Sequence, residues 1–183
     1  MATTANTPEA TDPPTGAGAP RSSRRAVPGP EKLTRDYDGE LVVFIIGMRI
    51  RRWWRFDQWI PVFAAMPRML AELSADPDSG MRGYRLVFDP RGPWLVQYWD
   101  SLEKIYSYAA APESEHRPAW TAFNTRARSA PNAVGVWRET FPVAGAESMY
   151  VGTPPLGLAK AVGTRPVGPR SARARDRQAR RDR

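Results

Sequence analysis

The pattern of apolar and polar residues first becomes regular at residues 40–50, ELVVFIIGMRI. The β-branched and aromatic residues of this segment are typical of a strand. Because successive side chains of a strand alternate, Val43, Ile45, Gly47 and Arg49 share one face, and Phe44, Ile46 and Met48 share the other. Both faces carry apolar side chains, so both are expected to be covered.

Residues 57–75 change to a helical period. Apolar side chains recur there at spacings of three and four, which predicts an amphipathic helix built on Trp59, Ile60, Phe63, Met66, Leu70 and Leu73. Pro61 fits the first turn of this helix, whereas Pro67 is expected to kink it.

Four more elements follow. YRLVFD and WLVQYW flank a short turn at residues 90–93 and predict an antiparallel hairpin. Ser101 can cap a helix over residues 102–111, whose predicted inner face consists of Leu102, Ile105, Tyr106 and Ala109. Residues 112–129 predict a second helical piece, and residues 132–143 predict the last strand.

The element order of strand, helix, strand, strand, helix, strand predicts an α+β, ferredoxin-like βαββαβ fold. Helices cover only one face of such a sheet, so the second face needs another cover. A second copy of the sheet would form a dimeric α+β barrel with a cavity in each subunit. The apolar, proline-rich segment at residues 148–160 could cover part of this face.

The two ends contain almost no large apolar residues. They are therefore expected to be disordered, residues 1–35 as one tail and residues 161–183 as a basic tail, around a single domain at residues 36–160. Neither end has the apolar run of a signal peptide, and no segment is long and apolar enough to span a membrane. A cytoplasmic protein without a membrane partner is expected.

The formal net charge of +8 lies mainly at the C-terminal end. Residues 160–183 contribute +7 and residues 1–30 contribute +1, whereas residues 31–159 hold fifteen basic and fifteen acidic side chains. Nucleic-acid-binding domains concentrate positive charge on their folded surface. No nucleic-acid partner is therefore expected, apart from weak contacts of the basic tail.

Residues 47–59, GMRIRRWWRFDQW, join the first strand to the first helix. Trp53, Trp54 and Trp59 are interpreted as the lip of a pocket or as a dimer contact, and the neighbouring arginines as solvated. The absence of cysteine, together with a single histidine, excludes thiolate metal sites and a cysteine nucleophile. Dinucleotide, P-loop and paired-histidine metal motifs are absent as well, so no metal site is predicted.

Six ordered blocks carry a resemblance to a known family: FIIGMRI, WIPVFAAMPRMLAEL, VQYWDSLEKIYSYA, HRPAWTAFN, VGVWRETF and MYVGTPPLGLAKA. Across residues 38–163 the chain resembles a bacterial and fungal family grouped with the monooxygenase of fumagillin biosynthesis in the dimeric α+β barrel superfamily. The resemblance implies a homodimer and monooxygenase-like chemistry. Relatives often have His at the position of Arg138 and Asn at that of Arg51, which puts the same chemistry in question for this chain.

His116 and Arg49 are the candidate catalytic residues. His116 titrates near neutral pH and could act as a general base or a haem ligand; the alternative is an exposed helix histidine. Arg49 could bind an anionic group, or could form a structural ion pair with Glu139. Further candidates for substrate binding are Gln97, Tyr98, Trp99, Trp120, Asn124, Trp137 and Arg138.

The resemblance implies a monooxygenase-like protein, and the aromatic character of the candidate residues favours a small apolar or aromatic metabolite as its substrate, without a cofactor. Two alternatives stay open: a haem-dependent barrel enzyme with His116 as axial ligand, and a dimer that binds a small molecule without catalysis. Whether the protein is an enzyme is therefore undecided from the sequence.

Overall fold

The computed structural model describes residues 31–114 and 116–178. The strands are β1 (Lys32–Arg35), β2 (Val42–Ile50), β3 (Met81–Asp89), β4 (Gly92–Trp99), β5 (Val134–Pro142), β6 (Tyr150–Val151) and β7 (Thr164–Pro166). The helices are α1 (Phe56–Ala75), α2 (Leu102–Ala110), α3 (His116–Ser129), α4 (Leu158–Val162) and α5 (Ala174–Gln178), with a 3-10 turn at Pro169–Ser171.

Strands β2 to β5 form a four-stranded antiparallel sheet in the order β3-β4-β2-β5. Helix α1 connects β2 to β3, and α2 and α3 connect β4 to β5. This arrangement is that of a ferredoxin-like βαββαβ fold. The predicted α+β, ferredoxin-like class is confirmed. Strand β2 lies in the interior of the sheet, between β4 and β5, which explains why it is apolar on both faces.

Each predicted element of the domain is present, with small differences in its bounds. Helix α1 is continuous through Pro61 and Pro67, and a kink at Pro67 stays a prediction. The Ser101 side chain caps α2 by accepting a hydrogen bond from the Lys104 N–H at 3.2 Å. The predicted inner face of α2 was wrong in one position, because Tyr106 is exposed and Tyr108 packs against the core instead.

The main core lies between the sheet and the helices. Trp99 is 2% exposed and packs with Val42, Leu73 and Ile105, so that the four residues together join two strands and two helices. Deep burial of large side chains at one end of this face anchors α1 and α2 to the sheet. Helix α3 has no fully buried residue in the described part of the chain, so it covers this face more loosely.

The C-terminal segment covers part of the opposite face. Strands β6, β1 and β7 form a small antiparallel sheet, and α4 packs against β3. Gly83 permits this contact, because a Cβ built at Gly83 would lie 2.9 Å from the Cβ of Ala161. The expectation that residues 148–160 contribute to the cover of this face is met within the same chain.

The predicted boundaries of the tails differ from the structure. Residues 32–35 form β1, and most of residues 161–178 form β7, a 3-10 turn and α5. Arg177 is buried, forms an ion pair with Glu147 and donates to the Ser171 carbonyl at 2.9 Å, so a charge-rich segment is held by specific polar contacts rather than by an apolar core. The predictions for residues 1–30 and 179–183 lie outside the described residues.

In the part of the chain that the structure describes, the helices fall short of the length and apolar character that a bilayer span needs.

Candidate functional site

A cavity of about 680 Å³ lies between the four-stranded sheet and helices α1, α2 and α3. This volume is in the range of pockets that bind small organic molecules. Its sheet side includes Phe44, Ile46, Met48, Leu95, Gln97 and Trp99, and its helix side includes Val62, Met66, Met69, Tyr108, His116 and Trp120. The lining is mainly apolar and aromatic, so the few polar groups define what can be oriented inside it.

Gln97 is the most deeply buried polar residue of the cavity lining, at 6% exposure. Its Oε1 atom accepts a hydrogen bond from Trp99 Nε1 at 2.9 Å, which fixes the orientation of the amide because an indole N–H can only donate. No described residue accepts a hydrogen bond from Gln97 Nε2. Two amide hydrogens are therefore left for a group inside the cavity.

His116 begins α3 and lies in an aromatic row along the cavity wall. Its ring is 6.2 Å from the ring of Tyr108 and stacks on Trp120 at 6.5 Å with an interplanar angle of 12°. Trp120 in turn stacks on Phe123 at 5.4 Å. This row fixes the plane of the imidazole at the cavity edge.

Burial lowers the pKa of His116 below its ordinary value, and the positive charge of Arg138 lowers this pKa further. Arg138 projects from β5 to the same cavity. The imidazole is therefore neutral at pH 7, which is the form that can accept a proton or a hydrogen bond. Sequence reasoning named both residues, but it could not foresee that one would tune the other.

Tyr108 is a cavity residue that the sequence analysis missed. Its hydroxyl donates a hydrogen bond to Glu72 Oε2 at 2.7 Å, which joins α2 to α1 at the cavity wall. The sequence did contain a signal for Tyr108: it follows Ile105 by three residues, so both residues can share one face of a helix.

Other predicted site residues lie elsewhere. Tyr98 faces the opposite side of the sheet, beneath the C-terminal segment, because it alternates with Gln97 and Trp99 along β4. Burial raises the pKa of Tyr98, and the nearby Tyr150 raises it further. Asn124 is half-buried on α3 and is not among the residues that line the cavity.

Arg49 and Trp137 also belong to the opposite face. Arg49 is exposed near the end of β2, so the expected burial with a partner such as Glu139 is not met. Trp137 borders the cavity, but its ring lies beside Gly47, 6.3 Å from the ring of Trp94. Arg51 lies outside the cavity and donates to Asn132 Oδ1 at 3.3 Å. Of the two departures from the family pattern, only Arg138 therefore touches the site.

No group of three or more His, Cys, Asp or Glu side chains that could hold a metal ion occurs among residues 31–114 and 116–178. A haem would find one imidazole in the cavity lining, His116, and the guanidinium groups of Arg117 and Arg138 as partners for its carboxylates.

The comparison with solved structures finds similar folds. SnoaB, a cofactor-independent oxygenase from Streptomyces nogalater, shares 13% identity over 57% of this chain and 94% of that chain, with a TM-score of 0.42. A putative antibiotic biosynthesis monooxygenase from Caulobacter crescentus CB15 shares 10% identity over 59% of this chain and 93% of that chain, also with a TM-score of 0.42.

A dimeric protein of unknown function and ferredoxin-like fold from Bacteroides fragilis NCTC 9343 shares 19% identity over 55% of this chain and 96% of that chain, with a TM-score of 0.37. No curated protein matches the chain. The family model described as Monooxygenase af470-like matches residues 41–158, which is more than half of the chain and includes all the residues that line the cavity. This match confirms the family suggested by the sequence blocks: the chain belongs to the af470-like monooxygenase family.

Proposed function

We propose that this protein oxygenates a small apolar or aromatic metabolite in the cavity between its sheet and its helices, without a haem or metal cofactor. Membership of the af470-like monooxygenase family supports the reaction class. The apolar and aromatic lining supports the substrate class, because such a cavity favours flat, poorly hydrated ligands.

The observation that carries the proposal is the buried Gln97 amide. Its oxygen is committed to Trp99, and its N–H groups have no acceptor among the described residues. These N–H groups open onto the cavity instead of onto protein acceptors, so a carbonyl oxygen of a bound ligand would be a natural acceptor for them. The proposed substrate is therefore an aromatic compound with a conjugated carbonyl.

His116 would remove a proton from a CH₂ group conjugated with that carbonyl. Its lowered pKa keeps it neutral, and the resulting anion would lie near the Arg138 guanidinium. The CH₂ group would become a second carbonyl: the substrate loses two hydrogens and gains one oxygen atom from O₂. The other oxygen atom leaves as water, so the substrate supplies all four electrons and no external reductant is required.

The test is oxygen consumption with anthrone, a flat aromatic ketone with such a CH₂ group, and mass spectrometry of the product. We expect conversion to the dione and a rate about 10²–10⁴-fold lower for His116→Ala, because a general base typically contributes that much. Thr125→Ala is the matched control, since Thr125 is exposed on the same helix and outside the cavity lining.

Two results would contradict the proposal in different ways. A Soret shift on titration with haemin that His116→Ala abolishes would support the haem-dependent alternative, with His116 as axial ligand. Saturable binding of anthrone without oxygen consumption, unchanged by His116→Ala, would support a binding protein without catalytic activity.

We also propose that the protein is a homodimer through the open part of its sheet. Gly47 on β2, Trp94 and Val96 on β4, and Trp137 on β5 lie on the face opposite the helices. Trp137 is 38% exposed and Phe141 is 48% exposed on the same face. A second copy would remove these aromatic surfaces from water, which favours association.

A further inference from the structure

Three connections meet at one end of the four-stranded sheet. The segment after β2 is held to the segment before β5 by a hydrogen bond from the Arg51 N–H to the Ala133 carbonyl, at 2.9 Å. The β3–β4 turn is held to the end of β2 by a hydrogen bond from the Ile50 N–H to the Arg91 carbonyl, at 2.7 Å. The loops at this end of the sheet therefore form one continuous surface.

This surface exposes several large apolar side chains. Trp54 and Phe88 are each 69% exposed, the highest values among the large hydrophobic residues that the structure describes. Phe56 is 58% exposed and Trp53 is 44% exposed, both within two residues of Trp54 in sequence. We name Trp53, Trp54, Phe56 and Phe88, together with the exposed Arg51, Arg52 and Arg91, the loop-end patch. Grouped exposure of this kind marks an interaction surface rather than ordinary surface composition.

The same patch carries a net positive charge. The exposed Asp89 carboxylate, which accepts a hydrogen bond from the Arg91 N–H at 2.6 Å, offsets only one of its arginines. Arg51, Arg52 and Arg91 are exposed, and none of them forms an ion pair with another described residue. Arg55 is the exception in this region, because it pairs with Asp57 at 2.7 Å. Exposed aromatic rings and arginines without an ion pair therefore lie on the same surface.

We propose that the loop-end patch docks the protein on the surface of an anionic lipid bilayer. Trp and Phe side chains insert at the boundary between headgroups and acyl chains, and arginines beside them attract anionic headgroups. Such docking is peripheral and needs no membrane-spanning helix. It extends beyond the proposed oxygenation and does not depend on it.

Two other partners fit the patch less well. A strand of nucleic acid needs open aromatic faces along a basic groove. Here Trp53 meets Trp59 in a T-shaped contact at 5.6 Å, and Trp59 Nε1 donates to the Trp53 carbonyl at 3.0 Å, so part of the aromatic surface is already used within the chain. The proposed contact with a second copy uses a different surface, the open sheet face that carries Trp137 and Phe141.

The patch also adjoins the cavity through α1. This helix begins at Phe56 in the patch, and its next turns supply Val62, Met66 and Met69 to the cavity lining. Docking by the patch would bring that cavity wall toward the bilayer, where apolar metabolites concentrate.

The experiment is co-sedimentation of the full chain with vesicles of phosphatidylcholine, with and without phosphatidylserine. We expect binding that requires phosphatidylserine and weakens with salt, because arginines near an anionic surface act within a Debye length. The double variant Trp54→Ser, Phe88→Ser should bind about tenfold more weakly or worse, because the inserted apolar surface is lost. Arg52→Glu should also weaken binding.

The matched controls are Tyr106→Ser, which removes a 62% exposed aromatic side chain on α2, and Arg68→Glu, which reverses an exposed charge on α1. Both controls should bind like the unmodified protein. Binding that is equal for phosphatidylcholine alone, or unchanged by the Trp54, Phe88 double variant, would overturn the proposal. So would tight binding of single-stranded RNA that the same double variant abolishes, or a change of oligomeric state in that variant.

Discussion

Both faces of the four-stranded sheet carry tryptophan, yet the tryptophans differ in their surroundings. On the helix face Trp99 is 2% exposed and closes one end of the cavity. On the opposite face Trp137 is 38% exposed and lies against Trp94 beside Gly47. The residue type is the same, so the difference comes from what covers each face.

The helix face is completed within the chain, whereas the opposite face is covered only in part. Helices α1, α2 and α3 enclose a cavity over the first, and the C-terminal segment, including Tyr150 and Leu158, covers one region of the second. This contrast shows that aromatic content alone does not identify a binding pocket. The side of the sheet from which a residue projects decides whether it can meet a ligand or a second protein chain.

The largest difference is expected in stability, when Trp99 and Trp137 are each replaced by alanine. Trp99→Ala should lower the free energy of unfolding by about 3–5 kcal/mol, because it leaves a cavity in the core. In the isolated subunit, at protein concentrations too low for association, Trp137→Ala should lower it by about 1 kcal/mol or less, since this side chain is already 38% exposed there. Urea denaturation of both variants measures the difference.

The Trp137→Ala variant also tests the proposed homodimer. Trp137→Ala should weaken self-association by about 2 kcal/mol or more, as for a central interface aromatic, in sedimentation velocity experiments over a range of concentrations. An unmodified protein that sediments as a monomer, or a Trp137→Ala protein that associates as before, would contradict a dimer through this face.

A smaller effect is expected for two neighbours on β4 that face opposite sides. Gln97→Glu keeps an oxygen for the Trp99 indole but removes the amide donors, so anthrone should bind about tenfold more weakly, a loss typical of one hydrogen bond. Tyr98→Phe removes a hydroxyl on the other face and should leave binding unchanged. Calorimetric titration of both variants measures this, and equal losses would mean that the cavity is not the binding site.

The smallest effect concerns the pH dependence of oxygenation. His116 accepts a proton only when it is neutral, so the rate should fall as the pH drops through its pKa, which burial and Arg138 hold below the ordinary value. Arg138→Met removes the repelling charge and should raise this pKa, which moves the acid limb of the pH–rate profile to higher pH by less than about one unit.

Burial remains in the Arg138→Met variant and is the larger cause, so the pKa of His116 should stay below its ordinary value. Arg128→Met, which removes an exposed arginine from the end of α3, is the control and should leave the limb in place. A limb that moves to lower pH in Arg138→Met, or moves equally in both variants, would mean that His116 is not the titrating base.

The sequence by itself determined the elements of the domain, their order and the alternation of faces along β2 and β4. These features follow from local periodicity and turn chemistry, which act over a few residues. The same periodicity misjudged α2, because Tyr106 and Tyr108 are both aromatic and only packing against Trp99 and Glu72 selects the second. The sequence pattern also assigned residues 161–178 to a tail. This segment is ordered by polar contacts of Arg177 with residues elsewhere in the chain, which a local apolar pattern does not report.

Only the tertiary structure decided which candidate residues share a site. His116, Trp120, Gln97, Trp99 and Arg138 come from one helix and two strands, and the fold brings them to one cavity. Arg49 and Tyr98 belong to the same strands as cavity residues, yet they face away. The physical reason is that a binding site depends on contacts between distant segments, whereas sequence patterns report the environment of each segment alone.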